Sequence, residues 1–216
     1  MPEKVSVTPG NIILLNGTSS SGKTTIAKAL QAIMPEPYYL FGMDMLQPGF
    51  PPGVFVFSDG SIGSSVEGWE IIFHDGRLDE VCVGPGALRF LTGMYRAVAA
   101  FASVGNHLIV DDVIYHPDVL RIAINELHDF PVLLVGIRLP LEIAEQREIE
   151  RGDRALGGAR TFFAGVHDEK LYDLELDSST DSPDECARRI KAFLDAGHAR
   201  VAIQELWRYI NNGDAS

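Results

Sequence analysis

Cysteine is nearly absent from this 216-residue chain: only Cys82 and Cys186 occur, far apart and without C-x-x-C spacing. That excludes a disulfide framework and a cysteine zinc site, and leaves two reduced, packed thiols as the simplest reading. The six histidines have no H-x-x-x-H spacing, so no histidine metal cage is indicated. Positive charge is scarce too, with 18 Lys and Arg against 30 Asp and Glu and a formal net charge of -12. A nucleic-acid partner would call for a basic patch or stripe, so none is expected. No apolar run approaches the length that spans a bilayer, and Met1-Pro2-Glu3-Lys4-Val5 lacks the charged and apolar segments of a secretory leader. The expectation is a cytoplasmic protein that does not engage membranes. Repeats and low-complexity tracts are lacking, and 46% hydrophobic content over this length predicts a single α/β domain, residues 1–216, with a sizeable core.

What is present is a phosphate-binding loop. Gly17-Thr18-Ser19-Ser20-Ser21-Gly22-Lys23-Thr24 fills the pattern G-x-x-x-x-G-K-[ST] and follows the apolar run Ile12–Leu15. In such a loop the backbone N–H groups converge on a phosphate at a helix start, the Lys23 ammonium neutralises β/γ oxygens, and the Thr24 hydroxyl can ligate Mg²⁺. The nucleotide-binding set is Gly17 through Lys23 with Thr24 and Thr25, and the expected cofactors are ATP and Mg²⁺. A chance match would need neither the strand before nor the amphipathic helix after.

Apolar runs alternate with helical patterns along the chain. Strands are expected at 11–16, 38–41, 108–110, 132–137 and 172–176, and helices at 23–34, 87–103, 117–128 and 140–150. In the first helix Ile26, Ala27, Leu30 and Ile33 share a face. This order implies βαβ units, hence a mostly parallel central sheet flanked by helices, with a ligand site at the carboxyl ends of the strands. Residues 47–65, rich in Pro, Gly and Ser, read as a long functional loop. Trp69–His74 and Leu78–Val83, joined through Asp75-Gly76, read as a small hairpin inserted at the surface. The tail from Pro183 to Asn211 carries two helical patterns, the second a C-terminal extension over about 198–212. Trp69, Phe55, Phe57 and Phe73 could line an acceptor pocket, but aromatics in such segments are more often core.

Three groups of charged residues bear on chemistry. Asp111 and Asp112 end the apolar strand at 108–110, where a carboxylate organises Mg²⁺; turn or capping chemistry is the alternative for either one. Asp44, just beyond the second strand, would face the γ-phosphate as general base for an attacking alcohol, unless it merely caps a helix. Arg147, Arg151 and Arg154 lie in a charged helix end that opens into Gly157-Gly158. Arg151 and Arg154 suit a mobile lid over about 151–168 that closes on the transferring phosphoryl, against the alternative of a solvated helix face with ion pairs such as Arg147 to Glu150.

Taken together, Ile13-Leu14-Leu15-Asn16-Gly17, Ser19-Ser20-Ser21-Gly22-Lys23, Pro35-Glu36-Pro37, Phe41-Gly42-x-Asp44, Asp111-Asp112-Val113, Arg147-Glu148-x-x-Arg151-Gly152-Asp153-Arg154, Val166-His167 and Tyr172-Asp173 resemble the chloramphenicol phosphotransferase family. The resemblance spans residues 11–178 but not the stretch between Asp44 and Gly84. It implies a kinase-like fold with a lid, transfer of the γ-phosphate of ATP to a hydroxyl of a small molecule such as chloramphenicol, and antibiotic resistance as the outcome. It also implies Asp44 as general base, Lys23 and Thr24 on MgATP, and Arg151 and Arg154 acting from the lid. Two other readings stay open: a kinase of a nucleoside, shikimate-like metabolite or nucleotide sugar, favoured by a cationic acceptor pocket, and a nucleotide-dependent binding module without acceptor. The lack of an N/T-K-x-D element weakens a GTPase switch.

Overall fold

A computed structural model describes residues 7–59 and 67–213. The chain runs β1 (Ile12–Asn16), α1 (Lys23–Ile33), β2 (Tyr38–Gly42), a single turn α2 (Met43–Leu46) and a 3₁₀ turn at Gln47–Gly49. Then follow β3 (Phe55–Ser58), β4 (Trp69–His74), β5 (Arg77–Val83), α3 (Pro85–Ser103), β6 (His107–Asp112), α4 (Pro117–Leu127) and β7 (Val132–Arg138). The last elements are α5 (Leu141–Arg151), α6 (Gly158–Phe163), β8 (Leu174–Asp177), α7 (Pro183–Asp195) and α8 (Ala202–Gly213).

The main sheet has the order β2-β6-β1-β7-β8, and all its pairings are parallel. Helices cover both faces, so its central strands must be apolar at every position rather than at every second one. In β1, Ile12 and Leu14 enter a core built with α3, α4 and α8, while Ile13 and Leu15 enter another built with α1 and α7. In α1 the buried stripe is Ile26, Ala27 and Leu30, and Lys23 is buried with it. Ile33, expected on that face, is instead 38% exposed in the last turn, and Met34 packs there on the core. The strand ends finish level, Leu15 and Gly42 both pairing with Asp111.

A second sheet, β3-β4-β5, stands apart from the first. Its β4–β5 hairpin turns on Asp75 (φ 48°) and Gly76 (φ 72°), the left-handed pair that a two-residue connection needs to match strand twist. Two expectations are corrected here. Residues 47–65 are not one long loop, because β3 pairs parallel with β4 from Phe55–Trp69 to Ser58–Ile72; residues 60–66 of that stretch lie outside the described residues. Nor is the hairpin a surface excursion, since Trp69 is buried and stacks against Phe50 and Phe55 with Phe90 edge-on.

The C-terminal helix is part of the core rather than an appendage. Ala202, Ile203 and Leu206 pack with α4, and Asp173 Oδ1 accepts from the amides of Val201 (2.7 Å) and Ala202 (2.9 Å) at the helix start.

Candidate active site

The loop between β1 and α1 leaves the sheet at Asn16 and turns through Ser20 (φ 61°) and Gly22 (φ 91°). Left-handed residues at these points swing successive amides to one side, which makes an anion cradle. No side chain caps α1, so its first-turn N–H groups remain for an anionic ligand. Lys23 is 6% exposed, and its Nζ donates to the carbonyls of Gly17 and Thr18, both at 2.9 Å, and to Ser21 Oγ at 3.4 Å. Burial pulls its ammonium below the ordinary lysine range; the charges of Asp111, Asp112 and Asp44 oppose that shift.

The two neighbouring aspartates part company. Asp111 Oδ2 accepts from Thr24 Oγ1 at 2.5 Å, and Oδ1 lies 4.0 Å from Lys23 Nζ. Asp112 is buried on the other face, where it accepts from the Tyr95 hydroxyl and, at 2.7 Å, from the Val113 amide. Burial raises the pKa of Asp112, and it raises that of Tyr95 well above the phenol range with help from the Asp112 charge. Of the pair expected to organise a metal, only Asp111 is therefore joined to the phosphate loop; Asp112 holds β6 to α3. Among the described residues no group of three or more His, Cys, Asp or Glu could hold an ion unaided. One hydroxyl and one carboxylate fit Mg²⁺ all the same, because that ion keeps waters and takes phosphate oxygens as its other ligands.

Asp44 sits in the first turn of α2, but the capping position is Gly42 and no side chain caps the helix. Its carboxylate instead meets the guanidinium of Arg154, 110 residues later. Arg151, the last residue of α5, pairs with Asp153 at 2.7 Å. Arg147 donates to Ser178, at 2.6 Å to its carbonyl and 3.2 Å to its hydroxyl, rather than to Glu150, which takes Gln146.

Lys23, Thr24, Asp44, Asp111, Arg147, Arg151 and Arg154 all border one cavity of about 1010 Å³. At one end lie Ser19, Ser20, Gly22 to Thr25, Asp111 and the arginines; at the other Phe55, Phe57, Trp69 and Phe73 form a wall with Tyr115 and Phe162. The preference for these aromatics as plain core is thus corrected, although Trp69 and Phe55 do both. The signal was strand alternation: Phe55-x-Phe57 and Trp69-x-Ile71-x-Phe73 put those side chains on one face. Nothing in the sequence pointed to Tyr115 or Phe162.

Two further residues escaped sequence reasoning. Glu148, 4% exposed in the charged run of α5, accepts from the amides of Gly157 (2.7 Å) and Ala159 (2.8 Å). Asn16, fully buried, accepts from the Ile114 amide at 2.8 Å and donates to Val166 O (2.6 Å) and the Tyr172 hydroxyl (2.7 Å). His167 bonds the same hydroxyl at 2.8 Å, and burial, helped by Arg138 and Lys170, pulls its imidazole down to about 4.

Residues 10–195 match the family described as chloramphenicol phosphotransferase-like protein. A protein of two Mycobacterium tuberculosis strains, named "Putative O-phosphotransferase", is 32% identical over 199 residues, 91% of this chain and 88% of its own length. Among solved structures, the M. tuberculosis APS kinase in complex with AMPPNP and APS superposes with a TM-score of 0.60 at 17% identity, covering 87% of this chain and 98% of its own. Shikimate kinase from Acinetobacter baumannii in complex with shikimate gives 0.53 at 12% identity, covering 91% and 98%. Likeness at such identities bears on the fold alone, and the fold is that of the P-loop kinases. Among the described residues no helix is long and apolar enough to cross a membrane.

Proposed function

This chain belongs to the chloramphenicol phosphotransferase-like family of kinase-like phosphotransferases, and from that premise we propose that it moves the γ-phosphoryl of ATP to a hydroxyl of a neutral, aromatic small molecule, chloramphenicol being the first candidate. The observation that carries this reading is that one cavity joins the phosphate loop and Asp44 to an aromatic-walled recess. A ligand pocket of this kind is mostly apolar, with a few polar groups that set orientation.

In this reading the amides of Ser19 to Gly22 and the ammonium of Lys23 hold the phosphates. Thr24 and Asp111 would hold Mg²⁺, which when bound neutralises charge on the β/γ oxygens. Asp44 accepts the proton of the acceptor hydroxyl as its oxygen attacks phosphorus in line. Arg151 and Arg154 stand where charge builds on the equatorial oxygens, so positioning and electrostatics supply most of the acceleration. For that, Arg154 must leave Asp44 and turn to the phosphoryl group, an exchange between two anions that an exposed ion pair allows at little cost.

The cations that border the cavity are Lys23, Lys28, Arg147, Arg151 and Arg154, all on the nucleotide and lid side. The β3–β5 wall offers none, which favours an uncharged acceptor over a shikimate-like or nucleotide-sugar one. Asp44→Asn tests the chemistry: turnover should fall about 10²- to 10⁴-fold while nucleotide affinity, measured by calorimetry, stays within about threefold. An Asn variant with full turnover would remove the general base.

A further inference from the structure

Arg154 rides on the short segment between the end of α5 and the start of α6, and one residue closes that segment at both ends. The carbonyl of Glu148 accepts from the Gly152 amide at 3.3 Å, which ends α5, and its carboxylate accepts from Gly157 at 2.7 Å through Oε2 and from Ala159 at 2.8 Å through Oε1. Both carboxylate oxygens are thus engaged, and the side chain is buried, although it stands in a helix run of Arg and Glu where solvent exposure is the rule. A buried carboxylate is retained only where strong hydrogen bonds offset its desolvation, and charge-assisted bonds to two amides do that.

The same junction touches two other parts of the site. Thr18 Oγ1 of the phosphate loop donates to Ala159 O at 2.7 Å, and the Leu78 amide of β5 donates to Leu156 O at 2.7 Å. Gly157 must be glycine: its φ is 108°, and a Cβ there would lie 2.3 Å from Leu78 O. Phosphate loop, lid root and acceptor wall therefore meet within four residues, 156–159; Thr161 donates to Gly157 O and Leu78 O there, and Glu148 is the charged side chain that pins the junction.

We infer that Glu148 is a positioning residue for phosphoryl transfer, acting through Arg154: by clamping the amides of Gly157 and Ala159 it sets where the lid segment stands over the phosphate loop. The inference rests on the phosphotransfer reading above. Misplacement of a charge-stabilising group by about 1 Å is enough to cost on the order of 10²-fold in rate. Glutamine in its place has one acceptor oxygen, and its amide would point a donor at a donor.

The test is a double-mutant cycle on the full chain. Glu148→Gln should lower kcat at least about 30-fold while nucleotide Kd changes less than about threefold. In an Arg154→Ala background the same substitution should cost less than about threefold, because the group it positions has gone. Equal losses in both backgrounds, or a Glu148→Gln enzyme within about twofold of normal, would overturn the inference. Should Glu148→Gln fail to fold, Glu148→Asp, which keeps the charge but loses reach, enters the same cycle with the same criteria. Amide exchange separates this inference from the phosphotransfer reading. If the unmodified protein phosphorylates no alcohol, the reading falls, and unchanged exchange at Gly157 and Ala159 in the variant would remove the clamp as well, whereas faster exchange at either amide would leave the clamp standing.

Discussion

Asp111 and Asp112 are adjacent, of one residue type and at the same strand end, yet only Asp111 is hydrogen-bonded to Thr24 of the phosphate loop. Strand alternation sends successive side chains to opposite faces. Ile109 packs on the α1 side and Val110 on the α3 side, so Asp111 continues towards Thr24 of α1 and Asp112 towards Tyr95 of α3. Asp111→Asn should raise the Mg²⁺ concentration for half-maximal activity about tenfold and leave the melting temperature nearly unchanged. Tyr95→Phe should do the reverse, costing about 1–3 kcal/mol of stability by stripping a buried carboxylate of one of its two partners. A metal titration set beside thermal melts of both variants checks the assignment, and a larger metal effect in Tyr95→Phe would contradict it. The loop from Gly17 to Thr25 was legible in sequence because its function demands particular residues at particular spacings. The choice between Asp111 and Asp112 was not, because it depends on which sheet face α1 covers. Glu148 was illegible for a related reason: a carboxylate in a charged run reads as solvated until the amides that bury it are brought near by the turn at Gly157.

At the scale of elements, the parallel sheet was readable because buried strands are continuous apolar runs, and the β4–β5 hairpin because Asp75-Gly76 is a strong turn signal. β3 was hidden. Its four residues sit between Pro51-Pro52-Gly53 and a Gly- and Ser-rich stretch, and its partner β4 begins 11 residues after it ends, too far for a hairpin pattern. This small sheet gives the cavity its aromatic wall, and Phe57 is the cleanest probe of it. The side chain borders the cavity yet is 69% exposed, so its loss should leave the fold intact. Phe57→Ala should raise the acceptor KM about tenfold, roughly 1.4 kcal/mol of binding, with the KM for ATP and the melting temperature nearly unchanged. Steady-state kinetics in both substrates would detect it; a rise confined to the ATP KM would place the acceptor elsewhere.

For the molecule as a whole, α8 decides whether the chain ends in an appendage or in its core. Ala202, Ile203 and Leu206 are nearly inaccessible, and Asp173, whose other carboxylate oxygen accepts from the Leu134 amide of β7, holds the helix start. Removing residues 198–216 should cost roughly 5 kcal/mol, taking the burial of two large apolar side chains and an alanine, and lower the melting temperature by about 10–20 °C. A truncated chain that melts within about 3 °C of the full one would contradict that packing. Of the 18 Lys and Arg in this chain of net charge -12, five border the cavity, and none of these lies on its aromatic wall. The proposed transfer of the γ-phosphoryl to an uncharged aromatic alcohol is tested most directly by coupled ADP release with MgATP and chloramphenicol, the product being weighed by mass spectrometry. Acceptor-dependent ADP release and a product heavier by one phosphoryl group are expected, both reduced about 10²- to 10⁴-fold in Asp44→Asn. ADP release that ignores every neutral alcohol in a wider panel, yet rises with an anionic metabolite, would contradict it.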